Sequence, residues 1–135
     1  MQQVTVTRRV AASPETVTDA IRDVGPFMRA GGFDGVAVEG DRVTLVNRVG
    51  LASIELELEL EDREGAVLAY SQRDGIFEEM ETWYEVAPAD SGTEVRATTT
   101  FAIDVDLVGF LLDKTVVKRQ RRRELEAQFD FLESL

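Results

Sequence analysis

Ile54-Glu55-Leu56-Glu57-Leu58-Glu59-Leu60-Glu61 alternates apolar and acidic residues without a break. Successive side chains of a strand point to opposite faces, so this run specifies a strand with one dry and one wet face. A sheet built on such a strand needs a cover on its dry side. Only the last stretch of the chain, roughly Val105 to Leu135, is long enough to supply that cover as one helix.

The rest of the chain reads around this strand. Val4 to Val10 forms a first strand. Ser13-Pro14-Glu15-Thr16 starts a helix, with Ser13 as cap, Pro14 in the first turn and acid beside it. That helix runs to about Asp23 and ends at Gly25-Pro26, and Phe27 to Ala30 adds one more turn before Gly31-Gly32. Gly35 to Glu39 and Arg42 to Arg48 form a hairpin around Gly40-Asp41. Further strands are expected at Ala52 to Glu61, Ala66 to Arg73, Glu78 to Val86 and Thr93 to Ile103. Short turns between them imply antiparallel pairing. Helices at the two ends of a run of hairpins give an α+β domain, and nothing in the 135 residues suggests a second one.

The chain has no Cys and no His, which excludes disulfides, thiol nucleophiles, Ser-His triads and the usual zinc ligand sets. No metal or cofactor is expected. Twenty-six acids face 15 bases, for a net charge of -11, and only Lys114 and Lys118 are lysines. Such a surface suits a cytosol of high salt and points to a halophilic source; an ordinary acidic protein is the plainer reading. Its field would repel nucleic acid and anionic membrane. No apolar run is long enough to span a membrane and no signal peptide is evident, so the expected location is the cytoplasm.

The chain resembles the START-like superfamily, also called the SRPBCC or polyketide cyclase/dehydrase and lipid-transport group. The resemblance covers nearly the whole sequence. It is carried by Val10-Ala11-Ala12-Ser13-Pro14-Glu15-Thr16-Val17, by Met80-Glu81-Thr82-Trp83-Tyr84-Glu85-Val86-Ala87-Pro88, and by Ser91-Gly92-Thr93-Glu94-Val95. It implies a helix-grip fold: a curved antiparallel sheet of six to seven strands wrapped round a long C-terminal helix, with a cavity between. Members include lipid and quinone binders, plant-hormone and allergen-type binders, aromatic cyclases and Hsp90-activator domains. The expected function is binding or carriage of a small hydrophobic or amphipathic ligand of the lipid, isoprenoid or quinone class, by a monomer or weak homodimer. A polyketide cyclase/dehydratase-like enzyme and an Hsp90-activator-like interaction module are the alternatives.

Candidate cavity residues come from the dry face and its cover. They are Leu45, Asn47, Leu56 and Leu58 from the first half of the sheet, and Tyr70, Met80, Thr82, Tyr84, Thr99 and Phe101 from the second. The irregular segment after the first helix adds Phe27, Met28 and Phe33. The closing helix adds Leu111 and Lys118 from the stripe Leu107, Leu111, Leu125, Phe129 and Leu132. That stripe is interrupted by Lys114, Lys118 and Arg121 or Arg122. The cations either meet an acidic ligand head or snorkel to sheet carboxylates such as Glu78; nucleic-acid binding by Lys118 to Arg123 fits poorly with the charge. Lys118 in particular is expected to face the sheet. Trp83, on the wet face, marks a dimer contact or lies under Arg96. No spacing among Tyr70, Tyr84, Arg73, Asp74 and Glu78 singles out an acid or base, so no catalytic residue is assigned.

Overall fold

The computed structural model describes residues 1–49, 51–103 and 114–135. Its elements are β1 (Gln2–Val10), α1 (Pro14–Arg22), α2 (Val24–Arg29), β2 (Gly35–Glu39), β3 (Arg42–Val49), β4 (Ala52–Glu61), β5 (Leu68–Asp74), β6 (Phe77–Ala89), β7 (Gly92–Ile103) and α3 (Lys114–Glu133). All seven strands form one antiparallel sheet in the order β1-β7-β6-β5-β4-β3-β2. Every neighbour except β1–β7 is a sequential hairpin, as the short turns imply. With the long C-terminal helix, this is the START/Bet v 1 helix-grip fold.

Ser13 caps α1 as expected, its hydroxyl accepting from the Thr16 amide at 3.2 Å. Gly25-Pro26 does not stop the helical path. The break falls at Asp23, and Pro26 sits in the first turn of α2, where its missing amide would have had no intrahelical partner. Alternation along the strands works as read. Val43, Leu45, Leu56, Leu58, Tyr70, Met80, Thr82, Tyr84, Val95, Ala97, Thr99 and Phe101 are all buried.

The first and last strands lock together at one corner. The Thr93 hydroxyl donates to the Ala12 carbonyl at 2.7 Å, and Gly92 (φ +146°) passes against Val10 and Ala11. Two of the segments that carry the family resemblance thus touch each other in space.

The outer face carries the acids. Arginines on neighbouring strands answer several of them: Arg42 reaches Glu57 at 2.9 Å and Arg73 reaches Glu59 at 3.2 Å. Arg63 pairs with Glu81 and lies 3.5 Å over the Trp83 ring. Trp83 is therefore covered by Arg63, not by Arg96, which turns toward Glu94 at 3.8 Å. These exposed pairs contribute little each, and 26 acids outnumber them. The melting temperature is expected to rise steeply as KCl is raised from millimolar to molar. A flat dependence in a calorimetric series would refute the reading of this face as a salt adaptation.

Candidate functional site

Helix α3 is unusually polar for a core helix. Its buried residues are Val117, Arg121, Glu124, Leu125, Gln128, Phe129 and Leu132, so polar groups interrupt the apolar stripe along its length. Buried polar groups need partners, and the sheet provides them.

Arg121 and Glu124, three residues apart on the helix, form an ion pair at 2.5 Å with both side chains 5% exposed. The other guanidinium terminus, Nη2, donates to the hydroxyls of Thr82 (3.0 Å) and Thr99 (3.2 Å), which lie 2.8 Å from each other on β6 and β7. The second Glu124 oxygen accepts from Asn47 on β3 (3.1 Å) and from Gln120 (3.3 Å). Among the described residues, Arg121 Nε is the one buried side-chain polar atom without a hydrogen-bond partner. Burial pulls the Arg121 pKa down, but the Glu124 carboxylate and the two tyrosines outweigh it and raise it further, so the guanidinium stays charged.

One helical turn further on, the Tyr84 hydroxyl donates to Gln128 Oε1 at 2.6 Å and lies 3.3 Å from the Tyr70 hydroxyl. Gln128 in turn donates to the Phe27 carbonyl at 3.4 Å. Phe27 meets the Tyr84 ring edge-on at 5.1 Å between centroids. Burial and the neighbouring Tyr70 push the Tyr84 pKa well above its usual value, against the opposing pull of Arg121 and Gln128. Tyr84 therefore remains a neutral donor.

The grip is solid around the C-terminal half of α3. The C-terminal half of α3 packs on the sheet through Leu125, Phe129 and Leu132, all fully buried, and Arg8 of β1 pairs with Asp130 beside it. Toward its N-terminal half a cleft of about 110 Å³ separates α3 from the sheet. Leu45, Asn47, Ile54 and Leu56 of β3 and β4 form one wall, Ile76 and Phe77 the end, and Val116, Val117, Gln120, Arg121 and Glu124 the helix side. Ile76 and Phe77 reach it because the β5–β6 turn is held by a side chain. Gln72 donates to the Phe77 carbonyl (2.8 Å) and accepts from its amide (3.2 Å), imitating a ladder pair, while the pairing of β6 with β7 shifts register between Phe77 and Glu79.

Of the expected cavity residues, Leu45, Asn47 and Leu56 line the cleft. Phe27, Met28, Leu58, Tyr70, Met80, Thr82, Tyr84, Thr99 and Phe101 are buried but do not line it; they fill the interior. Phe33 packs half-buried against the core. Leu111 lies outside the described residues. Lys118 corrects the expectation: it is exposed, as is Lys114, and the sheet-facing cation is Arg121. Lys118 is displaced roughly 60° around the helix from Arg121. Phe129, later in the chain but rotated roughly 80° from Arg121 in the same sense and so at nearly the angle of Lys118, is nevertheless fully buried. The sheet wraps a wider arc of the far half of α3 than of the near half, so Lys118 falls outside its reach. Glu78, the suggested counter-carboxylate, is exposed beside the register shift. Ligand pockets commonly enclose several hundred Å³. The cleft is smaller because Tyr70, Tyr84, Arg121 and Gln128 occupy the interior.

Ile54, Ile76, Phe77, Val116, Val117, Gln120, Arg121 and Glu124 are the lining residues outside the expected set. The Arg-x-x-Glu spacing on the same helix face as Val117 and Gln128 was the available signal. Among the described residues no helix is long and apolar enough to cross a membrane.

The family model described as "Polyketide cyclase / dehydrase and lipid transport" matches residues 1–135. No curated protein sequence matches. Among solved structures, the protein TTHA0849 from Thermus thermophilus superposes with a TM-score of 0.76 at 22% identity, covering 98% of this chain and 95% of that one. The Zhui aromatase/cyclase from Streptomyces sp. R1128 gives 0.74 at 21%, covering 98% and 93%. A START superfamily protein from Mycobacterium smegmatis gives 0.72 at 18%, covering 98% and 94%. At these identities the likeness is one of fold.

Proposed function

Because the chain belongs to the polyketide cyclase/dehydrase and lipid-transport family, whose fold is a hydrophobic-ligand-binding one, we propose that it binds a small hydrophobic or amphipathic molecule in the cleft between β3, β4 and α3. The observation that carries this reading is the make-up of the cleft. Aliphatic and aromatic side chains surround one polar cluster, the usual design of a small-molecule site. The volume of about 110 Å³ suits one ring or one short branched unit of a lipid, isoprenoid or quinone, with the remainder of a longer ligand outside.

A cyclase- or dehydratase-like enzyme is the second reading. Its support is Glu124, the one carboxylate among the described lining residues, with a guanidinium beside it, and the aromatase/cyclase fold neighbour. Both groups hydrogen-bond to each other and to the protein, which favours binding over acid–base work.

Native mass spectrometry with organic extraction, followed by amide NMR against a panel of ring compounds, isoprenoid alcohols and short quinones, tests the reading. Shifts confined to Leu45, Ile54, Phe77 and Val117, abolished by the space-filling Ile54→Trp, are the expected result. An empty extract together with no shift at millimolar ligand would defeat it. Turnover of a bound compound, lost in Glu124→Gln, would favour the enzyme.

A further inference from the structure

Resting on the binding reading above, we propose that the cleft selects uncharged ligands of about one ring that carry a hydroxyl or carbonyl group, and that Glu124 sets this selectivity. Among the described lining residues there is one cation and one anion, and they pair with each other, leaving only Arg121 Nε without a partner among the described residues. Arg121 Nη1 donates to Glu124 at 2.5 Å, and Nη2 is taken by Thr82 and Thr99. Glu124 accepts from Arg121, Asn47 and Gln120. Among the described lining residues the polar end of the cleft is thus charge-neutral, although it contains an arginine.

An anionic ligand would have to share a guanidinium whose Nη1 and Nη2 are already held, with only Nε left over, and would lie beside the Glu124 carboxylate in a poorly solvated place. Like charges at such range repel strongly, and removing the ligand's charge from water adds to the cost. A cation meets the mirror-image obstacle, since the carboxylate is already held by two carboxamides and a guanidinium. A hydroxyl or carbonyl pays neither penalty. The half-buried Asn47 and the rim residue Gln120 each use one amide hydrogen on Glu124. A carboxamide has a second hydrogen and an acceptor oxygen for a neutral partner. The remaining wall, Leu45, Ile54, Leu56, Phe77 and Val117, is apolar and sets the shape of the rest of the ligand. The cleft volume, about 110 Å³, is of the order of the ~150 Å³ apolar cavity that accepts benzene.

Benzyl alcohol, cyclohexanone, toluene, benzoate and benzylammonium form a near-isosteric probe set. In NMR titrations of the wild-type protein, benzyl alcohol and cyclohexanone are expected to shift Leu45, Ile54 and Val117 with dissociation constants at least about tenfold lower than those of benzoate and benzylammonium. Toluene should bind more weakly than benzyl alcohol. Glu124→Gln frees the guanidinium while keeping the side chain's shape. It should raise benzoate affinity about tenfold or more and so narrow or remove the preference for benzyl alcohol over benzoate. Benzoate binding the wild type as tightly as benzyl alcohol would overturn the selectivity while leaving the binding reading standing. So would a Glu124→Gln protein that gains nothing for benzoate. If the variant fails to fold, the wild-type series decides alone. Silence of the cleft resonances toward the whole set would instead overturn the binding reading, and the selectivity with it.

Discussion

Arg121→Met is expected to cost about 3 kcal/mol of stability, and Arg121→Met with Glu124→Leu much less than the single change. The single variant leaves a carboxylate in a nearly dry place with its cation gone, and breaking one half of a buried pair typically costs about 3–5 kcal/mol. Asn47 and Gln120 still donate to Glu124, which places the effect at the lower end. In the double variant both charges leave together. Thr82 and Thr99 keep their mutual hydrogen bond, and the orphaned Nε of Arg121 disappears with its side chain. Replacing a buried pair by apolar residues of similar size is often neutral or stabilising. Urea denaturation of the wild type, both single variants and the double variant closes the cycle. Strictly additive losses, or a single variant within about 1 kcal/mol of wild type, would contradict a coupled buried pair.

Gly92→Ala is expected to be comparably damaging for a purely local reason. Its φ of +146° is a conformation that L side chains rarely adopt, and an added Cβ would lie 2.2 Å from the Val10 carbonyl oxygen and 3.1 Å from the Ala11 Cα. Those atoms are backbone, in the strand-to-helix corner that Thr93 also holds, so they cannot yield as a side-chain tip would. Strain and overpacking together cost on the order of 3 kcal/mol, or a fall in melting temperature of roughly 10 °C for a domain of this size. Gly40→Ala is the control. It too has a positive φ, but nothing lies within 4 Å of the place its Cβ would take, so only the backbone penalty remains, about 1 kcal/mol. Equal shifts in the two variants would show that the Val10 contact is unimportant.

The sheet was legible because alternation is a short-range code. Each strand shows its inner face through its own residues, and the acidic outer positions of β4 made that phase unambiguous. The corner segments were also legible, since Ser13-Pro14 and Gly92-Thr93 have local requirements of cap and close approach. The site was not, because α3 offers cations at almost every angle between Lys118 and Arg123. Helical periodicity gives relative angles only. Which cation turns inward depends on where the curve of the sheet is centred, and that is set by strands distant in sequence. Glu124 was hidden for a related reason: an acid three residues after an arginine is the ordinary pattern of an exposed helix. Ile76 and Phe77 read as turn residues until the Gln72 side chain is seen to hold the turn in place.

Trp83, the chain's one tryptophan, lies beneath Arg63 on the sheet surface facing away from α3. The cleft and both tyrosines are on the other side. Its emission therefore reports on the sheet and on the stacking guanidinium, and stays almost unchanged when a small molecule enters the cleft. Absorbance and emission of Tyr70 and Tyr84 carry the optical signal of the interior instead. Loss of the Arg63 cover by substitution would alter the tryptophan spectrum with no change inside.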